Sequence, residues 1–242
     1  DGLFVDPGKE ILSEKIAIIA GGIKESLEEF GNLIKQFGQI KFISTPPKGL
    51  CCAYYHQGNR VDEKYVLEQL SVLDRLPGNL GLEYVQIDAG YSPWGDWLDT
   101  KQQFPSGMEF VVKEINKRGM KAGIWIAPFV ANPNSKLFKE HNDWFLKDDN
   151  GRGFEARFTS PFDFLPSLSL RALDVTHPEV QDHLTKVIGQ FVNWGFELIK
   201  TDFTYPVCFS INYHRRMTRA QALRLGFDVI RKAAGNKIHL MS

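Results

Sequence analysis

Apolar and charged positions in this chain first repeat with the period of a helix and then settle into the rhythm of an α/β fold. Between residues 15 and 37, Ile16, Ile19, Ile23, Leu27, Phe30 and Ile34 recur at three- and four-residue spacing among charged neighbours, which predicts an amphipathic helix. The pair Gly21-Gly22 falls inside it, Gly38 supplies a stop, and Thr45-Pro46-Pro47 forces an extended connector. Residues 1–46 therefore read as a linker helix with its connector, and residues 47–242 as the main domain. There a short apolar segment, a polar loop and an amphipathic helix follow one another repeatedly. Strands are predicted at 49–55, 84–90, 121–128, 198–203 and 238–242, and helices near 62–76, 106–118, 178–194 and 217–234. Segments such as Tyr84-Val85-Gln86-Ile87 and Ile124-Trp125-Ile126-Ala127 lack strict polar alternation, as expected when both faces of a parallel sheet are buried.

Such alternation implies right-handed crossovers, and leaves an open doubly wound sheet or a (β/α)8 TIM-type barrel. An open nucleotide-binding sheet usually carries a glycine-rich turn after its first strand. Here that turn would be His56-Gln57-Gly58-Asn59-Arg60, with a single glycine. The loops after the second, third and fourth strands are instead long and rich in aromatics and prolines. Residues 129–177 make an excursion far beyond the 2–6 residues usual for a βα connection. Barrel enzymes build their sites from loops on that rim, so the pattern favours a barrel. Four βα units and a fifth strand are present, fewer than the eight a closed barrel needs.

The 43% hydrophobic and 24% charged residues place the chain among globular proteins and exclude a disordered one. Lys plus Arg (29) equals Asp plus Glu (29), which argues against a nucleic-acid-coating surface. The longest apolar run, residues 16–20, falls far short of the roughly 20 residues a bilayer-spanning helix needs. Neither nucleic acid nor membrane is an expected partner. Of the three cysteines, Cys51 and Cys52 are adjacent and no CxxC exists, while the six histidines are scattered without HExxH spacing. No metal or cofactor is expected. The Asp-Gly-Leu-Phe start fits a piece of a longer protein.

Candidate chemistry gathers at the strand ends. Asp88 and Asp202 each close an apolar strand, where an unpaired buried charge is expensive. Each could cap a loop or a helix instead. Lys200 precedes Asp202 by two residues and so shares its face of the strand. Paired there, the ammonium would hold Asp202 ionised, as a nucleophilic carboxylate requires, although a structural ion pair fits the same spacing. Trp125 offers either a rim for sugar stacking or a core side chain. Trp94-Gly95-Asp96-Trp97 is either a binding platform or a small satellite core. His56 reads as structural, His177 as part of a helix entry capped by Thr176, and Cys208 as a loop thiol without a base.

These residues lie in motifs that resemble the retaining α-galactosidases of glycoside hydrolase family 36, in clan D. The resemblance covers residues 49–242. It rests on Tyr84-Val85-Gln86-Ile87-Asp88-Ala89-Gly90, on Gly95-Asp96-Trp97 with Phe104-Pro105-Ser106-Gly107-Met108, and on Gly119-Met120-Lys121-Ala122-Gly123-Ile124-Trp125-Ile126-Ala127-Pro128. Ala172-Leu173-Asp174-Val175 with Pro178-Glu179-Val180, and Lys200-Thr201-Asp202-Phe203, complete the order. The resemblance implies a (β/α)8 barrel and hydrolysis of terminal α-galactosides or related α-glycosides through a covalent glycosyl-enzyme. It makes Asp202 the nucleophile, Lys200 and Asp88 sugar-hydroxyl contacts, Trp125 a wall of the galactose subsite and Trp97 a further substrate-binding residue. A second carboxylic acid, roughly 5 Å from the nucleophile, serves as acid and base in such enzymes.

The family takes that acid/base from a sixth strand, beyond Ser242, and carries a sandwich domain before the linker helix. Its paired aspartates appear here as Asp88-Ala89, and two tryptophans of its first strand as Leu50 and Ala53. An inactive sugar-binding homologue and a clan-related glycosyl transferase are therefore the alternative expectations. The 242-residue chain alone is expected to hydrolyse poorly. Its open strand edges could pair with a second copy of the chain.

Overall fold

A computed structural model of the chain describes residues 5–10, 12, 15–38, 50–52, 60–76, 81–148, 150–158, 168–210 and 212–242. It divides into two compact units, one of residues 4–47 and one of residues 48–242 with the first three residues. In the smaller, helix α1 spans Ile23–Gly38, eight residues later than the expected start. Gly21-Gly22 explains the difference: adjacent glycines in a helix interior cost about 1 kcal/mol each, so they end the helix rather than sit within it. Ile16 and Ile18 lie outside it, 86% and 95% exposed. Within this unit the Lys15 ammonium lies 4.0 Å from the centre of the Phe37 ring.

The larger unit is built on a parallel sheet of five strands: β1 (Leu50–Cys52), β2 (Tyr84–Ile87), β3 (Lys121–Ile126), β7 (Leu198–Thr201) and β8 (His239–Met241), in that order. The expected ends of the first strand, with Ala53 and His56, lie outside the described residues. Side chains at matched register share a face. Val85, Ile87, Ala122, Ile124, Ile126 and Ile199 form one face, at most 4% exposed. Helices α2 (Glu63–Leu73), α3 (Met108–Asn116), α5 (Pro178–Trp194) and α6 (Arg219–Ala234) contribute Leu70, Val112, Ile188 and Ile230 to the same apolar core. Asp62 caps α2 by accepting from Tyr65 N at 2.7 Å, and Thr218 with Gln221 makes a capping box for α6. This is part of a (β/α)8 barrel.

Gln86, Gly123 and Leu198 face the other way, at one level of the sheet. A methyl on Gly123 would stand 3.0 Å from Leu198 Cδ2 and 3.5 Å from Gln86 Cβ, so only glycine lets these neighbours close over the strand. One level further lie Asp88, Trp125 and Lys200, and then Asp202.

The excursion at 129–177 is more than a loop. It holds β4 (Val130–Ala131), the short helix α4 (Lys136–Glu140), β5 (Glu155–Phe158) and β6 (Leu168–Ala172), with the strands in an antiparallel sheet ordered β4-β6-β5. In β6, Leu170 and Ala172 are buried while Ser169 and Arg171 are partly exposed, the alternation of a one-sided sheet. At the entry to α5 the cap is His177, whose Nδ1 accepts from Glu179 N at 3.3 Å, and not Thr176. Thr176 is already engaged: its hydroxyl donates to Asp174 Oδ1 at 2.7 Å and accepts from Arg215 N at 3.0 Å.

Candidate active site

The carboxylate of Asp202 sits where β7 ends. Its backbone N–H donates to Ile126 O at 2.9 Å, one bond past the last residue of the strand, which fixes it beside β3. Oδ1 accepts from the next residue's N–H, Phe203, at 2.8 Å, and Oδ2 accepts from Trp125 Nε1 at 3.1 Å. Phe203 has φ of 50°, the only non-glycine residue with positive φ among the described residues. Such a conformation is rare for an aromatic residue and persists only where its surroundings hold it. Its ring packs edge-on against Trp94, with centroids 5.1 Å apart. Asp202 itself is partly exposed. It has two donors and an open side.

Asp88, by contrast, is 3% exposed. Its Oδ2 accepts from Gln86 Nε2 at 2.5 Å and from Lys200 Nζ at 3.3 Å, and its Oδ1 from Ala89 N at 2.9 Å. The ion pair expected within β7 is therefore replaced by one across the sheet: among the described residues Lys200 pairs with Asp88 and not with Asp202. Register supplies the reason. Lys200 stands opposite Trp125 on β3, whose indole occupies the approach to Asp202, so the longer lysine reaches over β3 to β2. The three elements thus bring Asp88, Trp125, Lys200 and Asp202 to one rim.

Behind them lies an aromatic wall. Trp125 packs against Trp94 at 5.0 Å and Trp97 at 5.9 Å, and Trp97 against Tyr91 at 6.3 Å. Trp97 and Trp125 are each 2% exposed and both belong to the core layer; what sets Trp125 apart is its Nε1, which reaches Asp202. Trp94, expected with Trp97 as part of either a binding platform or a small satellite core, packs against both Trp125 and Phe203. The loop is tied down by Asp96, whose Oδ2 and Oδ1 accept from Lys136 N at 2.9 Å and Leu137 N at 3.0 Å at the start of α4. Gly95, at φ +106°, approaches Ala131 so closely that an added Cβ would lie 2.6 Å from the alanine's. Gly95→Ala is expected to destabilise the fold by roughly 2–4 kcal/mol, from overlap and backbone strain together. An unchanged urea midpoint would contradict this close approach.

A cavity of about 240 Å³ is lined by Trp97 together with Asp96, His141, His183 and Lys186 among others, and by neither Asp88 nor Asp202. Burial is the main force on His183 and, with Lys186 and His141 nearby, lowers its pKa to about 4. The free imidazole, near 6.5, takes its proton first, so acidification through the window from about 6.5 to 4 favours the unfolded chain. A loss of roughly 3 kcal/mol is expected across that window and should vanish in His183→Gln. Urea unfolding of both proteins at pH 7 and pH 4 checks it, and parallel losses would contradict it.

Asp143, His177 and Glu179 bring ligand atoms within 4.8 Å of one another, the described residues best placed to hold a metal ion. Both carboxylates are exposed, and Glu179 Oε2 already accepts from Trp144 Nε1 at 2.9 Å. Cys208 has its thiol pKa raised by burial. No helix among the described residues is long and apolar enough to cross a membrane.

Comparison with known proteins gives this arrangement a context. Residues 71–230 match the melibiase family model. Alpha-galactosidase AgaA of Geobacillus stearothermophilus is 26% identical over 164 residues, 64% of this chain and 20% of that protein. An alpha-galactosidase of Escherichia coli is 37% identical over 75 residues, 28% of this chain and 11% of that one. Among solved structures, TtGalA, an alpha-galactosidase from Thermus thermophilus in complex with stachyose, superposes with a TM-score of 0.68 at 29% identity. That match covers 83% of this chain and 40% of TtGalA. The chain thus spans less than half the length of these relatives.

Proposed function

Because the chain belongs to the melibiase family, we propose that it carries the nucleophile of a retaining glycosidase acting on terminal α-galactosides or related α-glycosides. The observation that carries this reading is Asp202: a partly exposed carboxylate at a barrel strand's end, steadied by the Trp125 indole and beside the Lys200–Asp88 pair. In the reaction an Asp202 oxygen bonds to the anomeric carbon as the bond to the leaving oxygen breaks, through an oxocarbenium-like transition state. The leaving oxygen takes a proton from a second carboxylic acid, which the family resemblance assigns to the sixth barrel strand. That group then deprotonates water, whose attack on the same carbon frees Asp202.

Lys200 and Asp88 are the contacts for sugar hydroxyls. Held to each other at 3.3 Å, they offer donor and acceptor in fixed relative positions. Trp125 forms the wall of the subsite, and Trp97 keeps it upright. Preorganised donors around a carboxylate favour the charge rearrangement of the transition state without reorganisation at the moment of reaction. The buried Ala89, where the family carries a second aspartate, favours one other reading, a sugar-binding homologue without turnover. The test is hydrolysis of an aryl α-galactoside beside the matching aryl pentopyranoside, by the chain within its parent protein. Turnover of either supports the enzyme; turnover of neither discards it.

A further inference from the structure

Gln86 is the polar exception at its level of the sheet, where its register neighbours are Gly123 and the buried Leu198. It is 1% exposed and shares its face of β2 with Asp88, two residues on. A buried amide is costly unless it is hydrogen-bonded. Here Nε2 reaches along the strand and donates to Asp88 Oδ2 at 2.5 Å. Gly123 brings no side chain to that level. The contact also constrains Asp88. Gln86 Nε2 holds one carboxylate oxygen and Ala89 N the other, at 2.9 Å, so turning the carboxylate about its Cβ–Cγ bond would break both. Lys200, at 3.3 Å on a flexible stem, supplies charge to Oδ2 but little direction.

We propose that Gln86 is a positioning residue for Asp88, fixing the plane of its carboxylate so that a sugar hydroxyl meets it in one orientation. This rests on the function proposed above, in which Asp88 contacts the sugar. At 1% exposure Gln86 is not placed to touch a sugar itself, so its effect passes through Asp88. Two variants separate the donor from the shape. Gln86→Met keeps the length of the side chain and loses the N–H. Gln86→Glu keeps the length and, while protonated, donates an O–H to Oδ2 in the amide's place; once ionised it repels Asp88. Two carboxyls this close hold one proton above the ordinary carboxylate range, so the donor is present in mild acid and leaves as pH rises. Lys200 on β7 is the other charged group beside Asp88 and is common to all three proteins, while Gly123 and Trp125 on β3 do not titrate.

The test measures kcat/KM for an aryl α-galactoside at pH 5 and pH 8 in the parent protein, wild type and both variants, with urea midpoints confirming that each is folded. Gln86→Met should fall about tenfold below the wild type at both pH values, the scale of one lost hydrogen bond to a charged group. Gln86→Glu should come within about threefold of the wild type at pH 5 and fall to the level of Gln86→Met or below at pH 8. Gln86→Met within about twofold of the wild type overturns the proposal, as does Gln86→Glu whose ratio to the wild type is the same at the two pH values. If Gln86→Met does not fold, the pH dependence of the Gln86→Glu ratio is read alone. Should the wild type hydrolyse nothing, the proposed function fails, and galactose affinity by calorimetry decides the positioning role separately. Weaker binding by Gln86→Met, with recovery in Gln86→Glu at pH 5 only, upholds it; equal affinities, or no binding by the wild type, overturn it.

Discussion

Replacing Asp202 with asparagine will lower turnover of an aryl α-galactoside on the order of 10⁴-fold or more, the scale seen when an enzyme nucleophile is removed. Galactose affinity will change little. The amide keeps the shape of the side chain and an oxygen that can still accept from Trp125 Nε1, but it is too weak a nucleophile to form the glycosyl-enzyme. Fold and sugar pocket should therefore survive, and the loss should appear in kcat. The sugar-binding homologue shares the nearly equal affinities for wild type and Asp202→Asn but has no wild-type turnover to lose. The activity assay separates the two, and calorimetry checks that the variant's sugar pocket is intact.

The second large effect falls on Lys200. Lys200→Met takes the cation from Asp88, a carboxylate only 3% exposed, while leaving the Gln86 and Ala89 hydrogen bonds in place. Breaking a fully buried pair costs about 3–5 kcal/mol; with the lysine side chain 30% exposed, about 2–4 kcal/mol is expected here. Adding Asp88→Asn should return most of that stability, because the amide needs no counter-charge. It should not return turnover, because both proposed sugar contacts are then altered. Urea unfolding of the two singles and the double closes the cycle. Additive losses, without recovery in the double, would contradict the ion pair.

Much of this fold is legible in the sequence because burial on both faces leaves so plain a mark. The parallel strands around Ile87, Ile124 and Ile199, and the α5 and α6 helices, fall close to their expected places. Where expectation and structure part, the cause is local chemistry that periodicity does not carry. Gly21-Gly22 ends α1 although the apolar spacing runs through it. Thr176 has the right chemistry for a cap, but Asp174 claims it, and His177 serves instead. The sheet within 129–177 escapes notice because β4 has two residues and its partners come from distant segments.

The candidate site divides in the same way. Strand-end position identified Asp88, Trp125, Lys200 and Asp202, since side-chain alternation fixes the face of each. It could not say which acid the lysine meets, because that depends on which side chain fills the space between strands. Trp125 does so here, and sends the ammonium to Asp88. Nor could it separate Trp97, which is buried, from Trp94, which is partly exposed and packs against Phe203.

The most direct test of the central claim is chemical trapping. 5-Fluoro-α-galactosyl fluoride destabilises both oxocarbenium-like transition states, while its fluoride leaving group speeds only the first step, so the covalent intermediate accumulates. Peptide mass mapping after exposure should find one fluorosugar on the peptide containing Asp202, and none in Asp202→Asn. A label on a different carboxylate, or steady hydrolysis of ordinary substrate by Asp202→Asn, would contradict the account.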